Sequence, residues 1–280
     1  MNNSSQLTNL QQEIQLRYGS LSKRLKQVAK YVLDNNHSVV FDTVATIAER
    51  ANVPPSTLIR FANAFGFSGF NEMKQVFRKN LMENTTNYSE RFQYFQQLES
   101  GSYSEQSAAD ILAIFGQANS QALKQLVNQT SKEQLESAVK ILNEANNIFI
   151  VGLKRSFSIA CYLDYALHHI DCNSYLINGL GGMFSEQLNR VKEGDVVVAI
   201  SFSPYAQETS EIMNITAQKG VKQIAITDSQ ISPLVTFSDV SFIIKEAQIK
   251  GFRSQCSTMT LAQTLVIALA AYKGLDKQTL

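Results

Sequence analysis

The strongest constraint on this chain is a change of periodicity near residue 146. Beyond it, short continuous apolar runs of strand length alternate with helical segments. The runs are 147–151 (NIFIV), 195–201 (DVVVAIS), 221–227 (VKQIAIT) and 240–244, with a weaker one at 173–177. An unbroken apolar run of this length suits a strand buried on both faces. The segments 156–170, 182–191 and 207–219 between them read as helices, and a helix at 257–272 closes the pattern. Such alternation predicts strand–helix–strand units and a mostly parallel sheet covered on both sides. Ligands of such sheets bind beyond the carboxyl ends of the strands, where the strand order reverses.

Before residue 146 the period is helical. Leu21, Leu25, Val28, Ala29 and Val32 recur at three- and four-residue spacing, predicting an amphipathic helix that ends at Asn35-Asn36. A second helix is expected over 43–51, with Val44, Ile47 and Ala48 inward and Asp42 or Thr43 as its cap. Residues 52–54 make a tight connection. Pro55 suits the first turn of a third helix, where its missing N–H costs nothing. That helix shows Leu58, Phe61, Ala62 and Phe65 on one face and stops at Gly66; a fourth covers 70–81. Residues 83–104 are polar with scattered aromatics and read as a linker, and helices over 105–127 and 131–145 lead into the sheet. The expected organisation is a helix-turn-helix DNA-binding domain at 1–82, a linker and connecting helix at 83–130, and an α/β effector domain at 131–280. Two domains suit 280 residues.

The formal net charge of +1 hides an asymmetry. Residues 1–82 hold ten basic and five acidic residues, a balance of +5, which leaves −4 for the remainder. A basic N-terminal part suggests a polyanionic partner. Residues 43–66, TVATIAERANVPPSTLIRFANAFG, have the form of two short helices joined by a tight turn. The second helix of such a pair lies in the major groove of double-stranded DNA, with its N-terminal residues against base edges. Helical spacing is expected to put Ser56, Thr57, Arg60 and Asn63 opposite the apolar face. Arg60 suits a guanine or a phosphate, Ser56 and Thr57 suit either target, and Asn63 suits an adenine or the backbone. Ser68, Lys74 and Arg78 complete the DNA-binding set, the last two as phosphate contacts.

In the second half, residues 151–156 (VGLKRS) connect a strand to a helix. A helix N-terminus favours an anion. Gly152 allows close backbone approach, Ser156 and Ser158 add hydroxyl donors, and Lys154 and Arg155 add charge. Residues 195–209 repeat the arrangement, with Ser201, Ser203 and Thr209 facing phosphate or sugar hydroxyls and Tyr205, Gln207 and Glu208 alongside.

Ile47-Ala48, Ala51-Asn52-Val53, Thr57, Arg60-Phe61, the run GFSGF at 66–70 and Lys74 together resemble the helix-turn-helix domain of the RpiR family of bacterial regulators. Residues from about 131 to 272 resemble the SIS domain, an α/β sugar-phosphate-binding fold, through Ser156, Ser201, Ser203, Glu208, Thr227-Asp228 and Ser232-Pro233-Leu234. The resemblance implies an N-terminal all-helical domain joined to an α/β sandwich. It also implies a regulator of metabolic, chiefly carbohydrate catabolic, genes, acting as a homodimer or homotetramer on a near-palindromic operator. A small anionic sugar-derived effector is the implied ligand. Three departures stand out. Pro54 replaces the serine that usually caps the recognition helix, Lys154 stands where a second glycine is common, and Pro204 and Ala206 replace a glycine and a threonine. Lys154 and Arg155 are expected to supply charge in place of the lost hydroxyl.

Cys161, Cys172 and Cys256 have no metal-ligand spacing, and His37, His168 and His169 form no catalytic motif. Neither a metal nor a cofactor is expected, and no catalytic residue is assigned. No signal core and no apolar run of about 20 residues is visible, so a cytoplasmic protein without membrane contact is expected. Two other readings use the same fold. A sugar-phosphate isomerase-like enzyme would need a positioned acid and base, and Glu186 and Glu208 form no evident pair. Alternatively, the SIS domain of a regulator serves only to join subunits.

Overall fold

The computed structural model describes residues 6–85, 89–90, 93–94, 107–249 and 251–274. The chain divides into two compact units, Met1–Glu105 and Gln106–Leu280. Most of the expected linker at 83–104 lies outside the described residues.

The first unit is helical: α1 (Gln6–Arg17), α2 (Lys23–Asp34), α3 (Asn36–Phe41), α4 (Val44–Arg50), α5 (Pro55–Ala64) and α6 (Phe70–Asn84). Ser22 caps α2 by accepting from the Leu25 N–H, and Thr43 caps α4 by accepting from the Thr46 N–H. Pro54 occupies the cap position of α5 without a side-chain hydrogen bond, and Pro55 opens the helix. Asn52 turns the chain with φ of +52°, and the Val53 N–H returns to the Ala48 carbonyl at 2.9 Å. One apolar core joins the elements, with Ile14, Val28, Ile47, Leu58, Phe61, Phe70, Met73 and Phe77 inside it. Two of these helices were not expected from sequence. α1 is mostly polar, yet Leu7, Leu10 and Ile14 are buried at three- and four-residue spacing. α3 has six residues, too few for a 3.6-residue period to show.

The second unit opens with α7 (Ala108–Gln129) and α8 (Lys132–Glu144), each started by a reciprocal capping box, Ser107 with Asp110 and Ser131 with Gln134. There follow β1 (Ile148–Gly152), α9 (Phe157–His168), β2 (Ser174–Leu176), α10 (Phe184–Asn189), β3 (Val196–Ile200), α11 (Gln207–Gln218), β4 (Lys222–Thr227) and β5 (Val240–Ile243). The five strands form one parallel sheet in the order β2-β1-β3-β4-β5. A short antiparallel hairpin, β6 (Gln248–Ile249) with β7 (Phe252–Arg253), precedes α12 (Cys256–Tyr272). The hairpin was not expected either, since two-residue strands carry no alternation.

Alternate strand residues face opposite layers. Ile148, Ile150, Val196, Val198, Ile200, Ile224 and Ile226 pack with α8, α9 and α12. Phe149, Val151, Val197, Ala199 and Ala225 pack with Leu188, Ile212 and Met213 of α10 and α11. Both faces are therefore covered, which explains why β1 and β3 read as unbroken apolar runs. The strand order reverses between β1 and β3, the switch point at which loops part to leave a crevice.

Candidate functional sites

On α5, Leu58, Phe61 and Ala62 are buried, and Ser56, Ile59, Arg60 and Asn63 form the exposed stripe. Arg60 has no ion pair or hydrogen bond among the described residues, so its guanidinium is uncommitted. Asn63 is partly committed. In the amide orientation that matches donors to acceptors, its nitrogen donates to the carbonyls of Ile59 and Phe67 at 3.3 and 2.9 Å. Ile59 is 48% exposed and was not singled out from sequence. It lies between Ser56 and Asn63 on the same stripe, where an apolar side chain suits a thymine methyl group.

Three expectations for this surface change. Thr57 is only 4% exposed. Four-residue spacing puts it in line with Phe61 and Phe65, on the inner stripe rather than opposite it. Lys74 is 5% exposed, and its ammonium donates to the Asp42 carbonyl at 2.5 Å. Arg78, half-buried, directs Nε at the Val40 carbonyl at 3.5 Å. Both cations therefore serve the C-terminal end of α3, whose last carbonyls lack helical partners and carry partial negative charge. Without α3 in view, sequence reasoning assigned both to phosphates. Ser68 is exposed, but its N–H and hydroxyl both donate to the Glu72 carboxylate, at 2.6 and 2.8 Å. These bonds, the backbone one foremost, hold the Glu72 carboxyl below its ordinary range.

Burial holds the Lys74 ammonium below its ordinary pKa, and Arg78 adds to the shift. Between the lowered native value and the usual value of about 10.4, the unfolded chain binds more protons, so stability rises with pH. Relative to Lys74→Met, the wild type should therefore gain stability as the pH rises towards the ordinary lysine value of about 10.4. Denaturant midpoints of both proteins along that series measure it, and a constant difference would remove the buried ammonium from the account.

In the second unit, Gly152 pairs with Ile200, so the loops after β1 and β3 leave adjacent strands at the same level. Gly152 is required by close packing: a Cβ there would stand 2.9 Å from the Ser156 carbonyl oxygen and 3.0 Å from the Ala160 Cβ. Lys154 is exposed at φ of +55°, a left-handed conformation that favours glycine. Ser156 is buried and Arg155 half-buried. Ser158, exposed, donates to the Gln255 side-chain oxygen at 2.7 Å, while the Gln255 amide donates to the Arg155 carbonyl.

The β3 loop is strongly cross-linked. Buried Ser201 accepts from the Ala206 N–H at 3.3 Å. The Asp228 carboxylate, just past β4, accepts from the Ser203 N–H at 3.2 Å and from the Tyr205 hydroxyl at 2.9 Å. Burial first, then the Asp228 charge, pushes the Tyr205 phenol well above its ordinary pKa, so it stays a donor. Lys245 donates to the Asp228 carbonyl at 2.5 Å. α11 then starts at Ala206 with no side-chain cap. Gln207 and Glu208 are exposed in its first turn, with Gln207 donating to Glu211 at 2.7 Å. Thr209 is fully buried, and its hydroxyl oxygen has no partner. The structure thus brings Gly152, Ser156, Ser201, Ser203 and the α11 N-terminus to one end of two neighbouring strands. Asp228 and Gln255 were not in the expected set. Asp228 stood in a recognised strand–loop pattern, whereas nothing local marked Gln255.

Among the described residues, no helix is long and apolar enough to cross a membrane, and no group of three or more metal-ligating side chains occurs.

The chain matches the rpiR-family helix-turn-helix domain over residues 8–84 and the SIS domain over residues 141–273. An uncharacterized HTH-type transcriptional regulator of Caldanaerobacter subterraneus is 26% identical over 243 residues, covering 86% of this chain and 81% of that protein. The uncharacterized HTH-type transcriptional regulator YbbH of Bacillus subtilis is 25% identical over 246 residues, covering 86% and 82%. Among solved structures, Vibrio vulnificus NanR complexed with ManNAc-6P superposes with a TM-score of 0.59 at 20% identity, over 96% of this chain and 94% of that one. At that identity the superposition speaks to the fold.

Proposed function

The chain belongs to the rpiR family of helix-turn-helix transcriptional regulators that carry a SIS domain, and from that premise we propose that it reads an operator through α5 and takes a small anionic sugar derivative in the β1–β3 crevice. The observation that carries the first half is the exposed stripe Ser56, Ile59, Arg60 and Asn63, with Arg60 uncommitted. The second half is supported by the uncapped N-terminus of α11 beside the orphaned Thr209 hydroxyl. Unpaired helix N–H groups and a buried hydroxyl favour an oxyanion. The structural relative NanR was solved with a sugar phosphate, so an N-acetylhexosamine 6-phosphate is the first candidate.

The acting unit is a homodimer or homotetramer whose two α5 helices meet two half-sites, and it works in the cytoplasm. Effector binding changes DNA affinity by favouring one placement of the two helices over the other. The reading as a regulator rather than an enzyme is supported by relatives that are named HTH-type transcriptional regulators. A gel-shift titration of the full chain on its own upstream DNA, with and without hexose and N-acetylhexosamine 6-phosphates, tests this reading. The effector should shift the midpoint. At a hundredfold excess over Kd it should also stabilise the folded protein by about 2.7 kcal/mol.

One observation favours a second reading. The Ser203 and Ala206 N–H groups are already bound by Asp228 and Ser201, as in a SIS domain kept for assembly alone. Under that reading no sugar phosphate changes either the melting temperature or the DNA midpoint.

A further inference from the structure

The exposed stripe of α5 holds an apolar side chain among polar ones. Ser56, Arg60 and Asn63 are polar, whereas Ile59 keeps 48% of its surface exposed between them. A lone exposed isoleucine means little by itself, but this one is held in a defined place. Leu58, Phe61 and Ala62 are fully buried in the core of the first unit and fix the rotation of α5 about its axis. Residues three and four apart share a helix face, so Ser56 and Asn63 lie one turn to either side of Ile59, and Arg60 lies beside it. Ile59 is one turn inside the helix start at Pro55. The first turns of such a helix are the part that meets base edges. The β-branched side chain is also nearly fixed at χ1 in a helix, so it has little freedom to lose on contact.

Charge says what covers this face. Residues 1–82 hold ten basic and five acidic residues, and the Arg60 guanidinium beside Ile59 has no partner among the described residues. A polyanion complements such a surface. The apolar group that a duplex presents on its base edges in the major groove is the thymine C5 methyl. Asn63 narrows the readout further. In the orientation that matches donors to acceptors, its amide nitrogen donates to the carbonyls of Ile59 and Phe67. The amide has two hydrogens, and both are then used within the chain. The two-bond pairing of asparagine with adenine needs one of them. We propose that Ile59 is a specificity-determining residue of α5 and packs on the methyl group of one thymine in each operator half-site. This rests on the operator reading above and adds the base feature that α5 selects there. Arg60 supplies charge to the same stretch of groove, and Asn63 serves the end of its own helix.

The test is a methyl scan by fluorescence anisotropy, with the full chain on its own upstream duplex. Each thymine, together with its symmetry mate in the other half-site, is replaced by deoxyuridine, which pairs in the same way and lacks only the C5 methyl. For the wild type one thymine pair should stand out, its replacement weakening binding about fourfold for each half-site, the worth of one buried methyl group. Ile59→Ala should bind the unmodified duplex at least that much more weakly and should be indifferent to deoxyuridine at that position. Ile59→Gln, of similar length and polar, should behave like the alanine variant. Melting temperatures without DNA report folding, so either folded variant decides the matter. Wild-type protein that loses nothing at any thymine overturns the assignment and leaves the operator reading standing. An undiminished loss at that thymine in a folded Ile59 variant does the same. Wild-type protein that binds the upstream duplex no better than a scrambled one overturns the operator reading, and this inference with it.

Discussion

Arg60→Ala protein binds operator DNA about ten- to hundredfold more weakly for each α5 helix engaged, with its melting temperature unchanged. The second clause follows from exposure. Arg60 has no partner among the described residues, and substitution at such a surface position shifts stability by no more than about 0.5 kcal/mol. The first follows from the geometry of α5, which presents Arg60 between Ile59 and Asn63 while Phe61 and Leu58 lock the other side of the helix. A two-headed assembly loses the contact twice, so the penalty compounds. Salt titration separates the two uses of the guanidinium. A phosphate contact gives uniform weakening on all sequences and a salt slope smaller by about one, whereas a guanine contact relaxes sequence preference at one position. Anisotropy titrations on the promoter and on a scrambled duplex, at matched salt, measure both. Equal promoter affinity in the folded variant would remove α5 from the DNA and the regulator mechanism with it.

What was legible in the sequence followed from period and length. β1, β3 and β4 announced themselves because both faces of the sheet are covered, leaving no polar alternation to blur the runs. The α4–α5 pair was legible through Thr43, Pro55 and the Leu58–Phe61–Ala62 spacing. The two misread cations share one cause. α3 is too short to show a period, and its C-terminal carbonyls engage Lys74 and Arg78. Cations assigned to phosphates from their place on the following helix are engaged at an internal helix end. Thr57 was misplaced for a simpler reason, since its polarity outweighed its alignment with Phe61. At the crevice, Ser156, Ser201 and Ser203 were legible because they follow strands that prove adjacent. Asp228 and Gln255 were not, because their contacts depend on the order in which the strands lie and on the segment that follows a two-residue hairpin.

Phe61→Ala tests whether the two units are as separate as their cores. Phe61 is fully buried and packs against Phe65 in a tilted arrangement with ring centroids 4.9 Å apart, and Arg17 lies over the Phe65 ring at 4.6 Å. Truncating a buried phenylalanine costs about 3–5 kcal/mol, from lost transfer energy and the cavity left behind. That is a large part of the 5–15 kcal/mol typical of a whole domain. The first unit should melt tens of degrees lower or fail to fold, at about 4–8 °C per kcal/mol for a domain of this size. DNA binding should disappear altogether. The core around β1, β3 and β4 shares no residue with the one around Phe61. Its calorimetric transition should therefore stay in place and still rise when a bound sugar phosphate is added. Arg60→Ala and Phe61→Ala thus both abolish or weaken DNA binding through neighbouring residues, but only the second moves a melting transition. A single transition shifting as one in Phe61→Ala would mean that the two cores fold as a unit. In that case the loss of DNA binding in any α5 variant would need a stability measurement before it could be read as recognition.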